Sequence, residues 1–208
     1  NYMLEINIVV DDFNLGWGAA NLQLSDMYLD GSHVFPSRGE FIVNNCLYIE
    51  VASTKCPEVL TGNDRLVEFD SNIRHEIGHI LGIGSLWNLD STEVTNNFDE
   101  ADPGEGDFRN FVEDSVVHQG LIYRESHGVS AYNSFTGSSF DFAPVSDGHL
   151  YSDIQNPTPG AMRQFGDTVI PSLDTELMAH YNLFTPVLFG FLRDLGWIIS
   201  DSPRPNEP

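Results

Sequence analysis

His75-Glu76-Ile77-Gly78-His79 is an H-E-x-x-H run. Residues four apart stand one helical turn above each other, so on a helix both imidazoles reach a single metal ion. Glu76 lies one position round, off that face, where it can take a proton from a metal-bound water. The flanks agree with a helix. Ile73, Ile77, Ile80 and Leu81 repeat at helical spacing, and Asp70 or Ser71 can cap it. Gly82 supplies the stop, because glycine accepts the left-handed conformation that ends many helices. Gly84 follows and the chain turns away before Trp87, so a third ligand has to arrive from elsewhere. The competing reading is an exposed helix that happens to carry two histidines. Two imidazoles and a carboxylate suit a half-buried stripe poorly, which counts against it.

A chain of 208 residues suffices for one good core, with room for two lobes around a cleft. Hydrophobic content of 41% with 12% aromatic residues is that of a globular chain and excludes a disordered one. No apolar run approaches the length needed to span a bilayer. Asn1-Tyr2-Met3-Leu4 lacks the basic start and cleavage site of a secretory signal. The net charge of −22 argues against nucleic acid and anionic membrane as partners, and fits a secreted or salt-adapted surface. The acidic stretch 99–107 reads as a solvated loop. A Ca2+ loop is the second reading there, without the spacing of an EF-hand. Cys46 and Cys56 are the only cysteines, and in an extracellular protein they most simply form one disulfide. A pair of zinc thiolates lacks the close spacing of a zinc knuckle. The disulfide reading puts the protein outside the cytosol.

Strands are expected at 4–10, 39–44 and 47–51, with Gly16-Trp17-Gly18-Ala19-Ala20 as loop or bulged edge. The metal-binding helix is expected over 65–82. Residues 85–148 are rich in Gly, Ser, Asn and Asp without a sustained helical period. That pattern predicts long loops with short helical pieces near 110–117 and 129–132. Thr185-Pro186 opens the clearest second helix: a hydroxyl cap, proline at the first position, then Val187, Leu188, Phe191, Leu192 and Leu195, with Gly196 to end it. Residues 200–208 are proline-rich and polar, a tail or linker.

A catalytic zinc has three protein ligands and one position left for water. The remaining histidines are His33, His118, His127, His149 and His180, and their chemistry alone does not choose among them. The chain resembles the leishmanolysin-like zinc metallopeptidases, a branch of the metzincin clan, in their bacterial form. The resemblance rests on four runs: residues 75–87; Ala143-Pro144-Val145 with Asp147-Gly148-His149; Glu176-Leu177-Met178-Ala179, similar to the family's Met-turn; and Arg193-Asp194-Leu195-Gly196-Trp197, similar to its closing run. Tyr132-Asn133 resembles the start of the segment leading to the third ligand. Most metzincins place that ligand three residues after the glycine, where this chain has Ser85. In the leishmanolysin branch a long insertion comes first. The resemblance therefore implies His149 as third ligand, with His127 as runner-up. It also implies Met178 beneath the zinc without binding it, the plain alternative being an ordinary core methionine.

Tyr181 and His180, just after Met178, are candidate donors to an oxyanion. Other metzincins place such a tyrosine two residues after the methionine, and Tyr181 is three after. Two further departures stand out. The segment between His149 and Met178 is longer than the family's, with Pro157, Pro159, Gly160 and Gly166 suggesting an inserted loop. The long helix that packs behind a metzincin sheet would precede Asn1. It would be supplied by a separate N-terminal fragment, or be lost, leaving an apolar sheet face exposed.

The implied fold is α+β and metzincin-like, a single catalytic domain over 1–208. Its N-terminal lobe, 1–84, would hold a twisted sheet and the active-site helix. Its C-terminal lobe, 85–199, would be loop-rich, with the third ligand, the Met-turn and a closing helix. The implied function is a secreted zinc-dependent endopeptidase acting on proteins or peptides, without membrane insertion. One Zn2+ would be held by His75, His79 and His149, with Glu76 as general base. Leu183 and Phe184, within 182–186, suggest an apolar wall for a substrate side chain. Two other classes compete: a non-catalytic metal-binding or adhesive module of the same fold, and a hydrolase of small amides. Glu76 counts against the first, since pure binding has no use for a carboxylate beside the metal. A long open cleft would count against the second.

Overall fold

Residues 4–11, 18–22, 27–30, 33–44, 62–87, 111–118, 120–146, 149–151, 161–173, 178 and 184–199 are described by the structure, a computed structural model. Among them the chain mixes α and β, with three helices and several small sheets. The β-branched run at the start forms β1 (Glu5–Asp11), which pairs in parallel with β5 (Arg38–Asn44). A parallel neighbour needs a crossover. The chain between them supplies β2 (Gly18–Leu22) and a separate hairpin of β3 (Met27–Asp30) and β4 (His33–Pro36). β2 lies antiparallel on the other side of β5, so among the described residues the Gly18-Ala19-Ala20 stretch is an edge strand of a sheet ordered β1-β5-β2. Ile8 and Val9 are 62% and 37% exposed, so β1 carries apolar surface to solvent.

Helix α1 (Gly62–Ile80) packs on β2 and β5. At Gly39 the sheet comes so close that a Cβ would overlap the Ile80 side chain. The helix starts earlier than the expected cap. Asp70 and Ser71 lie inside it, and Asp70 pairs with Arg74 one turn on at 2.8 Å.

Beyond residue 110 the expected loop-rich lobe is, among the described residues, mostly regular structure. β6 (Val112–Ser115) stands where a helical piece was expected. It opens an antiparallel sheet β6-β7-β8-β9 with β7 (Gly120–Tyr123), β8 (Ala143–Ser146) and β9 (His149–Leu150). Helix α2 (Ser126–Thr136) contains the expected piece at 129–132 and extends beyond it at both ends. Within the segment read as an inserted loop, β10 (Met162–Phe165) and β11 (Thr168–Pro171) form a hairpin. The closing helix α3 (Pro186–Asp194) follows its sequence signals: Thr185 is the N-cap, its hydroxyl accepts from the Val187 N–H at 3.2 Å, and Pro186 opens the first turn.

The main core gathers Trp87, Tyr123, Tyr132, Met178, Leu188 and Phe191 with their neighbours, and a smaller one holds Ile122, Phe142, Phe165 and Ile170. α2 has no capping bond from its own N-cap residue, Glu125. Asp194, in the last turn of α3, supplies it. Its buried carboxylate accepts from the backbone N–H of His127 at 3.1 Å and of Gly128 at 2.7 Å, and from the Tyr123 hydroxyl at 3.1 Å. Negative charge is favoured at a helix N-terminus, where unpaired N–H groups converge. Burial, reinforced by that carboxylate, pushes the Tyr123 pKa well above the ordinary tyrosine value.

The expected strand at 47–51, the Cys46–Cys56 disulfide, the acidic stretch 99–107, His180, Tyr181 and the tail 200–208 lie outside the described residues. No described helix is long and apolar enough to cross a membrane.

Candidate metal centre

α1 carries His75 and His79 one turn apart and ends directly after them. The end is a Schellman motif: Ile83 N–H donates to the Gly78 carbonyl and Gly82 N–H to the His79 carbonyl, each at 3.0 Å, with Gly82 at φ 108°. This turn brings the Ile83 carbonyl to 2.8 Å from Nδ1 of His79. A carbonyl only accepts, so Nδ1 carries the proton and Nε2 keeps its lone pair. That is the tautomer a ligand bonding through Nε2 requires. Ser85 turns its hydroxyl to the His79 carbonyl, at 2.5 Å.

His149 arrives on β9, whose pairing with β8 places it opposite Ser146. Its Nε2 lies 3.2 Å from Nε2 of His75 and 3.2 Å from Nε2 of His79. The His149 ring stacks on His75, with 5.1 Å between centroids, and stands edge-on to His79 at 4.8 Å. Among the described residues these three form the cluster of metal-ligating groups, their ligand atoms all within 4.8 Å of one another.

The donor set fits a cation. With the His79 proton held on Nδ1, its Nε2 turns a lone pair toward the His149 nitrogen. A neutral His149 has one proton at most on Nε2, and it faces both that nitrogen and Nε2 of His75. A metal ion satisfies all three at once. Tetrahedral ligands about 2.0–2.1 Å from zinc stand about 3.3 Å apart, close to the spacing observed. Imidazole also suits copper, iron and nickel. The three histidines thus form a site able to hold a metal ion.

Glu76, next to His75 on α1, is buried. Met178 is wholly buried and seated against the same helix: a Cβ on Gly78 would overlap its sulfur and come within 3.1 Å of its methyl carbon. The glycine between the two histidines is therefore what admits the methionine. Arg74, one residue before His75, holds its guanidinium 5.5 Å over the ring of Phe184, itself 48% exposed. Leu183 lies outside the described residues. His127 is exposed, its backbone N–H bonded to Asp194. His118 is half-buried against the second core, with Nδ1 3.0 Å from the Thr168 hydroxyl and its ring against Phe142. His33 packs over Gly196. None of these three joins the cluster.

Sequence reading missed the orienting carbonyl of Ile83, the cap from Asp194, and the indole N–H of Trp197, which donates to the Leu81 carbonyl at 2.8 Å. One signal was available: a glycine inside a helix marks a close approach, and Gly78 is one. Comparison of the chain with family models, with characterised proteins and with solved structures finds no match.

Proposed function

We propose that the chain is a zinc-dependent endopeptidase with a metzincin-like fold, akin in its motifs to the leishmanolysin-like enzymes and acting outside the cell. The observation that carries the reading is the convergence of the three Nε2 atoms of His75, His79 and His149, 3.2 Å apart at two of the pairs. Glu76 next to His75 and Met178 against Gly78 support it. Zinc held by these imidazoles supplies a Lewis acid that lowers the pKa of a bound water to about 7 and polarises a carbonyl.

The chain's own residues do the rest. The Ile83 carbonyl keeps His79 in the ligating tautomer. Glu76 accepts the proton of the attacking water and passes it to the leaving nitrogen of the scissile amide. Its burial shields the exchange from bulk solvent.

The test uses the purified chain and a quenched fluorescent protein substrate. Cleavage is expected, abolished by a chelator and restored by Zn2+. Glu76→Gln is expected to keep its metal and lose about 100-fold or more in turnover. Normal turnover in that variant refutes the role given to Glu76. A metal-loaded wild type that cuts no peptide refutes the endopeptidase reading.

A further inference from the structure

We infer that Trp197 is a positioning residue for the metal centre: its indole N–H holds the C-terminal turn of α1 in the conformation that orients His79. The inference rests on the metal-centre reading above. The carbonyls around the end of α1 have identifiable partners, and nearly all are local. Ile77 accepts from the Leu81 N–H at 2.8 Å, Gly78 from Ile83, His79 from Gly82 and the Ser85 hydroxyl, and Gly82 from the Leu86 N–H at 3.0 Å. Ile83 accepts from His79 Nδ1. Leu81 differs. Its carbonyl accepts from Nε1 of Trp197, at a sequence separation of 116. Leu81 lies between the ligand His79 and the carbonyl that orients it, so rotation of its peptide group moves the Ile83 oxygen. The direction of the His79 Nε2 lone pair follows.

Trp197 is itself held on several sides. It ends the Schellman turn of α3, where Gly196 has φ 97° and the Trp197 N–H donates to the Leu192 carbonyl at 3.0 Å. Its ring stands edge-on to Phe35 at 5.0 Å. The neighbouring Leu195 reaches Gly82, where a Cβ would lie 3.2 Å from its methyl carbon. The turn closing α3 thus presses on the turn closing α1 at two adjacent points, one apolar and one a hydrogen bond. Any large ring could fill the apolar space, but the N–H aimed at a helix-end carbonyl is specific to indole.

Trp197→Phe separates the two roles, with Co2+ as the probe. Its affinity is read by competition with a chromophoric chelator and its geometry by the visible ligand-field bands. The expected result is a Kd about tenfold higher with altered bands, the range seen for partners behind the ligands. Phe165→Leu, a lesion in the second core, is the control. It is expected to lower the unfolding midpoint and leave Kd and bands unchanged. If Trp197→Phe does not fold, β-(3-benzothienyl)alanine at position 197 keeps the ring shape and replaces the N–H by sulfur, with the same expectation. Wild-type affinity and bands in either folded variant overturn the inference. So does an equal shift in Phe165→Leu, since affinity would then merely follow stability. A wild type that binds neither Co2+ nor Zn2+ refutes the metal centre itself, and this inference with it.

Discussion

Asp194→Ala tests the joint between α2 and α3 without involving the metal. The carboxylate satisfies three donors, and removing it leaves them unequal. Tyr123 and Gly128 are buried, so their O–H and N–H lose a partner where water does not readily replace it. Each such donor costs about 1–3 kcal/mol. His127 is exposed, and its N–H can recover a water. The expected loss is about 3–4 kcal/mol, above the roughly 1 kcal/mol of an ordinary N-cap. For a chain of this size that lowers the thermal midpoint by about 10 °C.

Asp194→Asn retains a carbonyl oxygen for the backbone donors but not the charge at the helix N-terminus, and about 1–2 kcal/mol is expected. Urea unfolding followed by circular dichroism measures all of these. Tyr123→Phe completes a cycle: costly alone and nearly free in the Asp194→Ala background, with a coupling of about 1 kcal/mol or more. An Asp194→Ala variant within about 0.5 kcal/mol of wild type would refute the reasoning, given the magnitudes above. Equal losses for the alanine and asparagine variants would refute the capping role specifically.

Gly78→Ala gains helix propensity of about 1 kcal/mol but drives a methyl into the Met178 sulfur, an overpacking cost of about 1–3 kcal/mol. A net loss of stability is expected, smaller than additive when combined with Met178→Ala, and a stabilised single variant would contradict the close contact. His149→Ala is expected to lower metal affinity by more than the about 10–100-fold typical of residues behind the ligands, and His127→Ala to leave it unchanged. Unchanged metal content in His149→Ala would show the third ligand to be another residue. Alkaline pH is expected to destabilise the fold through Tyr123 and Tyr132, whose pKa values burial raises above the ordinary one. Above about pH 10 the unfolded chain releases these protons while the folded chain keeps them. Stability then falls by up to about 1.4 kcal/mol per pH unit per tyrosine, and remains intact below that window. Tyr132→Phe should flatten the slope in urea titrations at pH 9 to 11; an unchanged slope would contradict the assignment.

The parts of the fold that the sequence made legible are those whose signals are local. The two histidines of α1, its glycine stop and the Thr185-Pro186 start of α3 each depend on residues within a turn of one another, and each is found where expected. α2 escaped in part because its cap belongs to another helix: Glu125 makes no capping bond of its own, and Asp194 provides it from a distant part of the sequence. Asp70 misled for the opposite reason, since a carboxylate that pairs with Arg74 inside a helix resembles one that begins it. The strands β6, β7 and β8 are four residues each, too short for alternation to stand out, and β6 contains Glu113 and Asp114. His149 came from resemblance of context, because a ligand contributed by a distant strand leaves no spacing to count. The carbonyls of Leu81 and Ile83 had no signature at all, since every residue has one.

The order in which the donors occur along the chain has a consequence for biosynthesis. His149 follows His79 at a separation of 70 residues, and Met178 and Trp197 come later still. A polypeptide emerging from the ribosome exposes its helical pair of imidazoles while the strand that completes the grip is still untranslated. On the metal-centre reading, tight ion capture is thereby deferred until the ribosome has passed His149.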